Sequence, residues 1–110
     1  MEYHSDKLIS LIRDSAAMYL KANAEVPPGT LLTVTRVELS SDEQRANVFI
    51  SIFPTGRIGV FMEKFNQWQN EFNGYARKEM RLRFVPAIRF KLDEAELKSE
   101  KIERLLEEGK

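Results

Sequence analysis

The feature that most constrains the fold is a regular series of aromatic residues in the second half of the chain. Phe61, Phe65, Trp68 and Phe72 follow one another at spacings of four, three and four residues. At about 3.6 residues per turn, these rings share one face of a helix and the polar residues between them fall elsewhere. Burying such a ring stabilises a fold by about 1.5 to 3 kcal/mol, so the series predicts a helix that faces the core.

A break in this helix is expected at Asn73-Gly74. Gly is less favourable than Ala in a helix interior by about 1 kcal/mol, which predicts a helix end, a kink or a close backbone approach, with a second helix beyond it. One interpretation is an ordinary C-cap. In the other, the turn presents backbone N–H groups and a helix N-terminus to a phosphate, with Arg77 and Lys78 one turn later. The nearby basic residues make the two interpretations comparable.

Positive charge is concentrated between Gly74 and Lys91. From Pro86 onward the residues alternate, which predicts a strand with Ile88, Phe90 and Leu92 inward and Arg89 and Lys91 outward. The outward pair is either an ordinary solvated face or part of a strip that follows a nucleic-acid backbone. The whole segment holds one acid, Glu79, and six basic residues: Arg77, Lys78, Arg81, Arg83, Arg89 and Lys91.

The remaining segments complete an α+β pattern. A helix is predicted from Ser5 or Asp6 to near Asn23, followed by strands over residues 30–39 and 46–53 with a hairpin loop of about five residues. The third strand returns after a helical connection that is long enough for parallel pairing. The order helix, strand, strand, helix, helix, strand, with a further C-terminal helix, predicts a two-layer sandwich on a three-stranded mixed sheet.

The charge distribution divides the chain into a basic body and an acidic tail. The 110 residues carry 17 bases and 17 acids, and residues 93–110 hold seven of the acids but four of the bases. Residues 1–92 therefore have 13 bases and 10 acids, a net charge of plus three. Apolar residues in the tail predict an acidic amphipathic helix, which is either solvated on its acidic face or available to a protein partner.

Features typical of enzymes, membrane proteins and secreted proteins are missing from the sequence. His4 is the sole histidine, cysteine is absent, and nucleotide-binding and metalloprotease motifs do not occur. We therefore expect no enzyme activity, no metal and no cofactor. No apolar run approaches the roughly 18 residues of a membrane span, and the charged N-terminus is unlike a signal peptide, so a cytoplasmic protein is expected.

Three stretches carry a resemblance to a known family. They read LLTVTRVELSSDEQRANVFISIF, NGYARKEMRLRFVPAIRFKLDE and IERLLEE, in that order along the chain. In wording and spacing they resemble ribosome-binding factor A, the bacterial assembly factor of the small (30S) ribosomal subunit. The resemblance covers almost the whole chain, and its most specific part runs from Arg81 to Asp93.

The resemblance implies a type II KH-like fold of order α-β-β-α-α-β over residues 1–93, an RNA-binding domain, with residues 94–110 as an acidic amphipathic helix or tail. In this family an AxG break between two helices replaces the usual phosphate-binding GxxG loop, and Phe72-Asn73-Gly74 occupies that position here. The resemblance also implies a non-catalytic protein that binds small-subunit ribosomal RNA on the immature 30S subunit. There it would assist late processing and maturation of that RNA and support growth in the cold.

The candidate RNA contacts come from the basic segment, in a protein expected to act as a monomer. They are Asn73, Gly74, Arg77, Lys78, Arg81, Arg89 and Lys91. Few aromatic residues are expected to be exposed, which favours recognition of shape and phosphate over stacking on bases. The alternative function is a protein-interaction module that acts through the C-terminal amphipathic helix without binding RNA.

Overall fold

The structure, a computed structural model, describes residues 2–80 and 84–95. Its elements in chain order are α1 (Glu2–Asn23), β1 (Leu31–Leu39), β2 (Arg45–Phe53), α2 (Ile58–Glu79) and β3 (Ala87–Leu92), with a short 3₁₀ turn before α2. The predicted C-terminal helix, the tail over residues 96–110 and the candidate contact Arg81 lie outside the described residues.

The three strands form a mixed sheet with β2 in the centre. β1 and β2 pair in antiparallel fashion through a hairpin loop over residues 40–44, whereas β3 pairs with β2 in parallel. The helical connection between β2 and β3 is long enough to return the chain in the same direction, as predicted. The α+β architecture with a three-stranded mixed sheet is thus confirmed.

The aromatic face of α2 is buried, as its spacing predicted. Phe61, Phe65, Trp68 and Phe72 all point into the core. The Phe72 ring is central, since its centroid lies 5.6 Å from that of Tyr19 in α1 and 5.7 Å from that of Phe90 in β3. These contacts join the two helices and the sheet in one core.

Both helices cover the same face of the sheet, α1 over β1 and α2 over β3. The strands supply alternate side chains to this layer, including Ala46, Val48, Ile50, Ile52 and Ile88. The intervening side chains point to the other face, which neither helix covers. Within the described part of the chain, no helix is long and apolar enough to cross a membrane.

The predicted break at Asn73-Gly74 was wrong, because α2 continues through it as one helix from Ile58 to Glu79. Ala76 and Met80 extend the buried face of the aromatic residues beyond Gly74. The packing of one continuous face therefore outweighs a propensity cost of about 1 kcal/mol at a single Gly. The described elements have the order α-β-β-α-β in place of the predicted α-β-β-α-α-β.

Candidate nucleic-acid interface

Asn73 holds α2 against the free edge of β3. Its side-chain nitrogen donates to the carbonyl oxygens of Gln69 and Ile88, each at 2.9 Å, and its side-chain oxygen accepts the Ile88 N–H at 2.9 Å. One turn earlier, the side-chain oxygen of Gln69 accepts the Phe90 N–H at 3.2 Å. β3 lies at the edge of the sheet, so the two amide side chains bind backbone groups that a further strand would otherwise pair with.

Because α2 is continuous, Asn73 and Gly74 do not form the phosphate-binding turn that was one interpretation of the sequence. The backbone N–H groups of both residues lie inside a helix, where they belong to its internal hydrogen bonds, so no helix N-terminus forms at this point. The Asn73 side chain is occupied within the protein. Gly74 is exposed, and a Cβ built on it would meet no atom within 4 Å. An RNA backbone can approach Gly74 closely, but the turn expected there does not exist.

Arg77 and Lys78 lie exposed in the last turn of α2. Cations stabilise the negative end of a helix dipole, which accounts for their position without any ligand. Consecutive helical residues lie about 100° apart around the axis, so the two side chains leave different flanks. Arg77, four residues after Asn73, lies on the β3 side, whereas Lys78 lies on the flank that Glu71 shares toward α1. Arg77 is therefore the one closer to β3.

The side chains that point away from both helices form a separate surface. Arg89 and Lys91 are exposed there, so their predicted outward orientation is confirmed. The parallel register places Arg89 beside Asn47 and Lys91 beside Phe49. We call this surface the open face and define it as Leu31, Thr33, Arg36, Glu38, Arg45, Asn47, Phe49, Ser51, Phe53, Ala87, Arg89 and Lys91.

Arg36 reaches the open face because of a bulge in β1. The register shifts between Val34 and Arg36, so that Val34 and Val37 both point toward the helices and Arg36 points away from them. Its guanidinium carbon lies 4.0 Å from the centroid of the Phe49 ring, which is a cation–π contact. The interrupted alternation of apolar residues in β1 was the signal that could have revealed this residue.

Two acids hold Arg36 in place. Its Nη1 atom lies 2.8 Å from Oε1 of Glu38, and its Nε atom lies 3.9 Å from Oδ2 of Asp93. Asp93 is buried, and it accepts the hydroxyl of the bulge residue Thr35 at 2.5 Å and the N–H of Ala95 at 3.0 Å. The end of β3 is thereby connected across β2 to the bulge of β1.

The other three cations of the open face have fewer partners. Arg89 and Lys91 form no ion pair with any residue that the structure describes. Arg45 lies near Asp42, whose pKa is lowered by a hydrogen bond from the Ser40 hydroxyl, by the Gln44 N–H and by the charge of Arg45. Positive charge therefore predominates on this face, and anions are the ligands that it favours.

The described residues contain no group of three or more His, Cys, Asp or Glu side chains placed to hold a metal ion. The arrangement of cations on a sheet, with amide and hydroxyl groups between them, is suited to holding an anionic polymer.

Comparison with known proteins identifies the family. The sequence model of ribosome-binding factor A matches residues 4–106. The chain belongs to the ribosome-binding factor A family. Ribosome-binding factor A from Protochlamydia amoebophila is 34% identical over 104 residues, which cover 93% of this chain and 79% of the relative. Family membership, predicted from the three sequence stretches, is thus confirmed.

Solved structures of the ribosome-binding factor A family share the KH-like fold. A Thermotoga maritima candidate for this family is 29% identical, with a TM-score of 0.62 over 78% of this chain and 83% of its own. A homology model of Thermus thermophilus ribosome-binding factor A, fitted into a cryo-EM map of its complex with the 30S subunit, is 24% identical. Its TM-score is 0.52 over 78% of this chain and 91% of its own, which supports the fold alone.

Proposed function

We propose that this chain binds small-subunit ribosomal RNA on the immature 30S subunit and assists late processing and maturation of that RNA. The observation that carries the proposal is family membership over residues 4–106, nearly the whole chain. A member of the same family, from Thermus thermophilus, was fitted into a map of its complex with the 30S subunit, and the proposal extends that partner to this chain. The protein acts as a cytoplasmic monomer without catalysis of its own.

The proposed contacts are the exposed groups on the β3 side of the molecule. Arg77 at the end of α2 and Arg89 and Lys91 on the open face carry charges that no described acid neutralises. Such groups bind phosphates and release counterions, so the affinity depends strongly on salt. Gly74 allows close approach of an RNA backbone, while Asn73 acts by holding β3. Lys78, on the other flank of α2, and Arg81, outside the described residues, also belong to the proposed set.

Binding alone can assist maturation. A protein that binds one RNA conformation more tightly than another shifts the population toward the first by its differential affinity. The proposal is that the mature-like conformation of the RNA carries phosphates at the spacing of the basic groups. The residues beyond Ala95 are not needed for this, so a chain truncated after Ala95 should keep the RNA affinity of the full chain.

The first experiment measures association with the subunit. We expect the tagged protein in a cell lysate to sediment with free 30S subunits and not with translating ribosomes. Filter binding to small-subunit RNA then compares Arg77→Ala and Arg89→Ala with Lys64→Ala, an exposed cation elsewhere on α2. Each of the first two should weaken binding and reduce the salt slope by about 0.7 to 0.9. Absence from the 30S fraction, with no affinity for the RNA, would contradict the proposal.

A further inference from the structure

The open face exposes more aromatic surface than the sequence indicated. The Phe53 side chain, at the end of β2, is 58% exposed. In the middle of the same strand, the partly exposed Phe49 ring lies under the Arg36 guanidinium group. Aromatic rings and guanidinium planes are the two kinds of group on which proteins stack unpaired bases. These two rings are therefore candidates for stacking on this face, although neither is among the contacts predicted from the sequence.

A cleft opens beside the Phe49 ring, at the end of β3. Its volume is about 620 Å³, which is within the usual range of about 300 to 1,000 Å³ for sites that hold a small molecule. Arg36, Phe49 and Lys91 form its wall on the open face, apolar side chains of α2 and β3 form much of the rest, and Glu94 also lines it. A carboxylate repels phosphate but accepts hydrogen bonds from the amino groups of bases. The cleft is thus better suited to a base than to a phosphate.

A row of cations leads away from the cleft. Lys91 stands beside Phe49, Arg89 stands beside Asn47 one step back along the strands, and Arg45 stands beside Ala87 one step further. Alternate residues of a strand are about 6.6 to 6.8 Å apart, so the Cα atoms of Lys91 and Arg89 on β3 are separated by about that length, and Arg45 continues the row diagonally on β2. Asn47, between Phe49 and Arg45 on β2, adds an amide that can donate to or accept from RNA.

We propose that the open face binds a single-stranded segment of RNA, with one base in the cleft against Arg36 and Phe49 and the following phosphates on Lys91, Arg89 and Arg45. This inference rests on the proposed function, because it names the form of RNA that the chain recognises. A duplex keeps its bases stacked and paired, so it cannot place one in the cleft. The site discriminates single strands from duplexes by this insertion.

Binding of a base against Arg36 and Phe49 is tested by fluorescence anisotropy with the full chain. The probes are labelled ten-nucleotide oligouridine, oligoadenosine and a duplex of the same length. We expect the single strands to bind more tightly than the duplex. Phe49→Leu should weaken their binding about tenfold, the effect typical of losing one stacked base, and leave the duplex unchanged. Phe84→Leu, which alters an exposed ring outside the sheet, should change neither.

A second variant, Arg36→Lys, distinguishes the effect of losing a stacking surface from the effect of losing a charge. It also provides an independent test if Phe49→Leu does not fold. The substitution keeps the positive charge between Glu38 and Asp93 but removes the guanidinium plane. We expect weaker binding of single strands with an unchanged salt slope. Unaltered affinity in both Arg36→Lys and folded Phe49→Leu would overturn the stacking site, and equal affinity of the wild type for single strand and duplex would overturn it as well.

The phosphate part is tested by the salt dependence of single-strand binding. Lys91→Gln should lower the salt slope by about 0.7, whereas Lys64→Gln should leave it unchanged. The same proteins are assayed on whole 30S subunits. A wild-type protein that fails to bind 30S subunits contradicts the proposed function. If it binds them, but Lys91→Gln and Phe49→Leu bind single strands as the wild type does, only this inference fails.

Discussion

The two sides of β3 use polar residues for different purposes. On the helix side, Asn73 and Gln69 bind the backbone edge of β3 through three hydrogen bonds to Ile88 and Phe90, and Asn73 donates a fourth to the Gln69 carbonyl within α2. On the open face, Arg89 and Lys91 form no ion pair with the described residues. Groups that are satisfied within the protein stabilise the fold, and groups that are left to solvent are available to a ligand.

In this protein, residue type alone does not distinguish the side chains that stabilise the fold from those that are available to a ligand. Asn73 is one of the RNA contacts predicted from the sequence, and its side chain connects a helix to a strand. Arg36 and Arg45 belong to segments that suggested ordinary strand and loop, yet they face the same solvent as Arg89 and Lys91. Partners in space, rather than spacing in sequence, determine the role.

The largest expected effect is a loss of stability on the buried, helix-covered side of the sheet. Phe72 is fully buried between the rings of Tyr19 and Phe90. Phe72→Ala should therefore lower the free energy of unfolding by about 3 to 5 kcal/mol. Urea denaturation followed by circular dichroism measures this loss. Phe53→Leu, on the open face, should lower the free energy of unfolding by less than about 1 kcal/mol. Equal losses in the two variants would contradict the difference between the buried side and the open face.

Asn73→Ala should produce the next largest loss of stability. The substitution leaves the N–H and carbonyl of Ile88, a buried residue, without their partners on α2. Unsatisfied buried groups cost about 1 to 3 kcal/mol each, and water can replace part of the loss at an edge, so about 2 to 3 kcal/mol is expected. The control is Asn70→Ala, an exposed amide on the same helix. Hydrogen exchange should show faster exchange of the Ile88 amide in the Asn73 variant alone.

Gly74→Ala should stabilise the protein while testing its proposed contact with RNA. Gly74 lies inside a continuous helix with open space around its Cβ position. Ala is the better helix former by about 1 kcal/mol, so the free energy of unfolding should rise by about that amount. A fall in RNA affinity in this more stable variant would place the RNA backbone against Gly74. A fall in stability would show that the helix is not continuous there.

The sequence predicted those elements whose buried face appears as a local pattern of residues. Alternation and aromatic spacing identified the faces of α2 and β3 correctly, because burial of a periodic face is a local pattern. The break at Gly74 was predicted from a propensity of about 1 kcal/mol, which tertiary packing of Phe72 and Ala76 overrides. The connection from Asn73 to Ile88 spans 15 residues and depends on the strand register, which no local pattern contains.

The smallest expected effect concerns Glu71, an exposed residue of α2, and tests whether its carboxylate stabilises the fold. The Tyr19 hydroxyl donates to the Glu71 carboxylate and so joins α1 to α2. Burial of the ring, together with this hydrogen bond and the negative charge of Glu71, raises the pKa of Tyr19. The hydrogen bond from Tyr19, with a second one from Gln67, lowers the pKa of Glu71.

Tyr19→Phe should therefore raise the pKa of Glu71 toward its ordinary value, which an NMR titration of the carboxyl group measures. A carboxyl group whose pKa is lowered by folding stabilises the protein above the pKa of the unfolded chain, and this stability is lost as the pH falls through the folded pKa. The variant should be less stable than the wild type near pH 7, and the difference should shrink in acid. Tyr75→Phe is the control, since a Glu71 titration that shifts equally in both variants would exclude the Tyr19 hydroxyl as its cause.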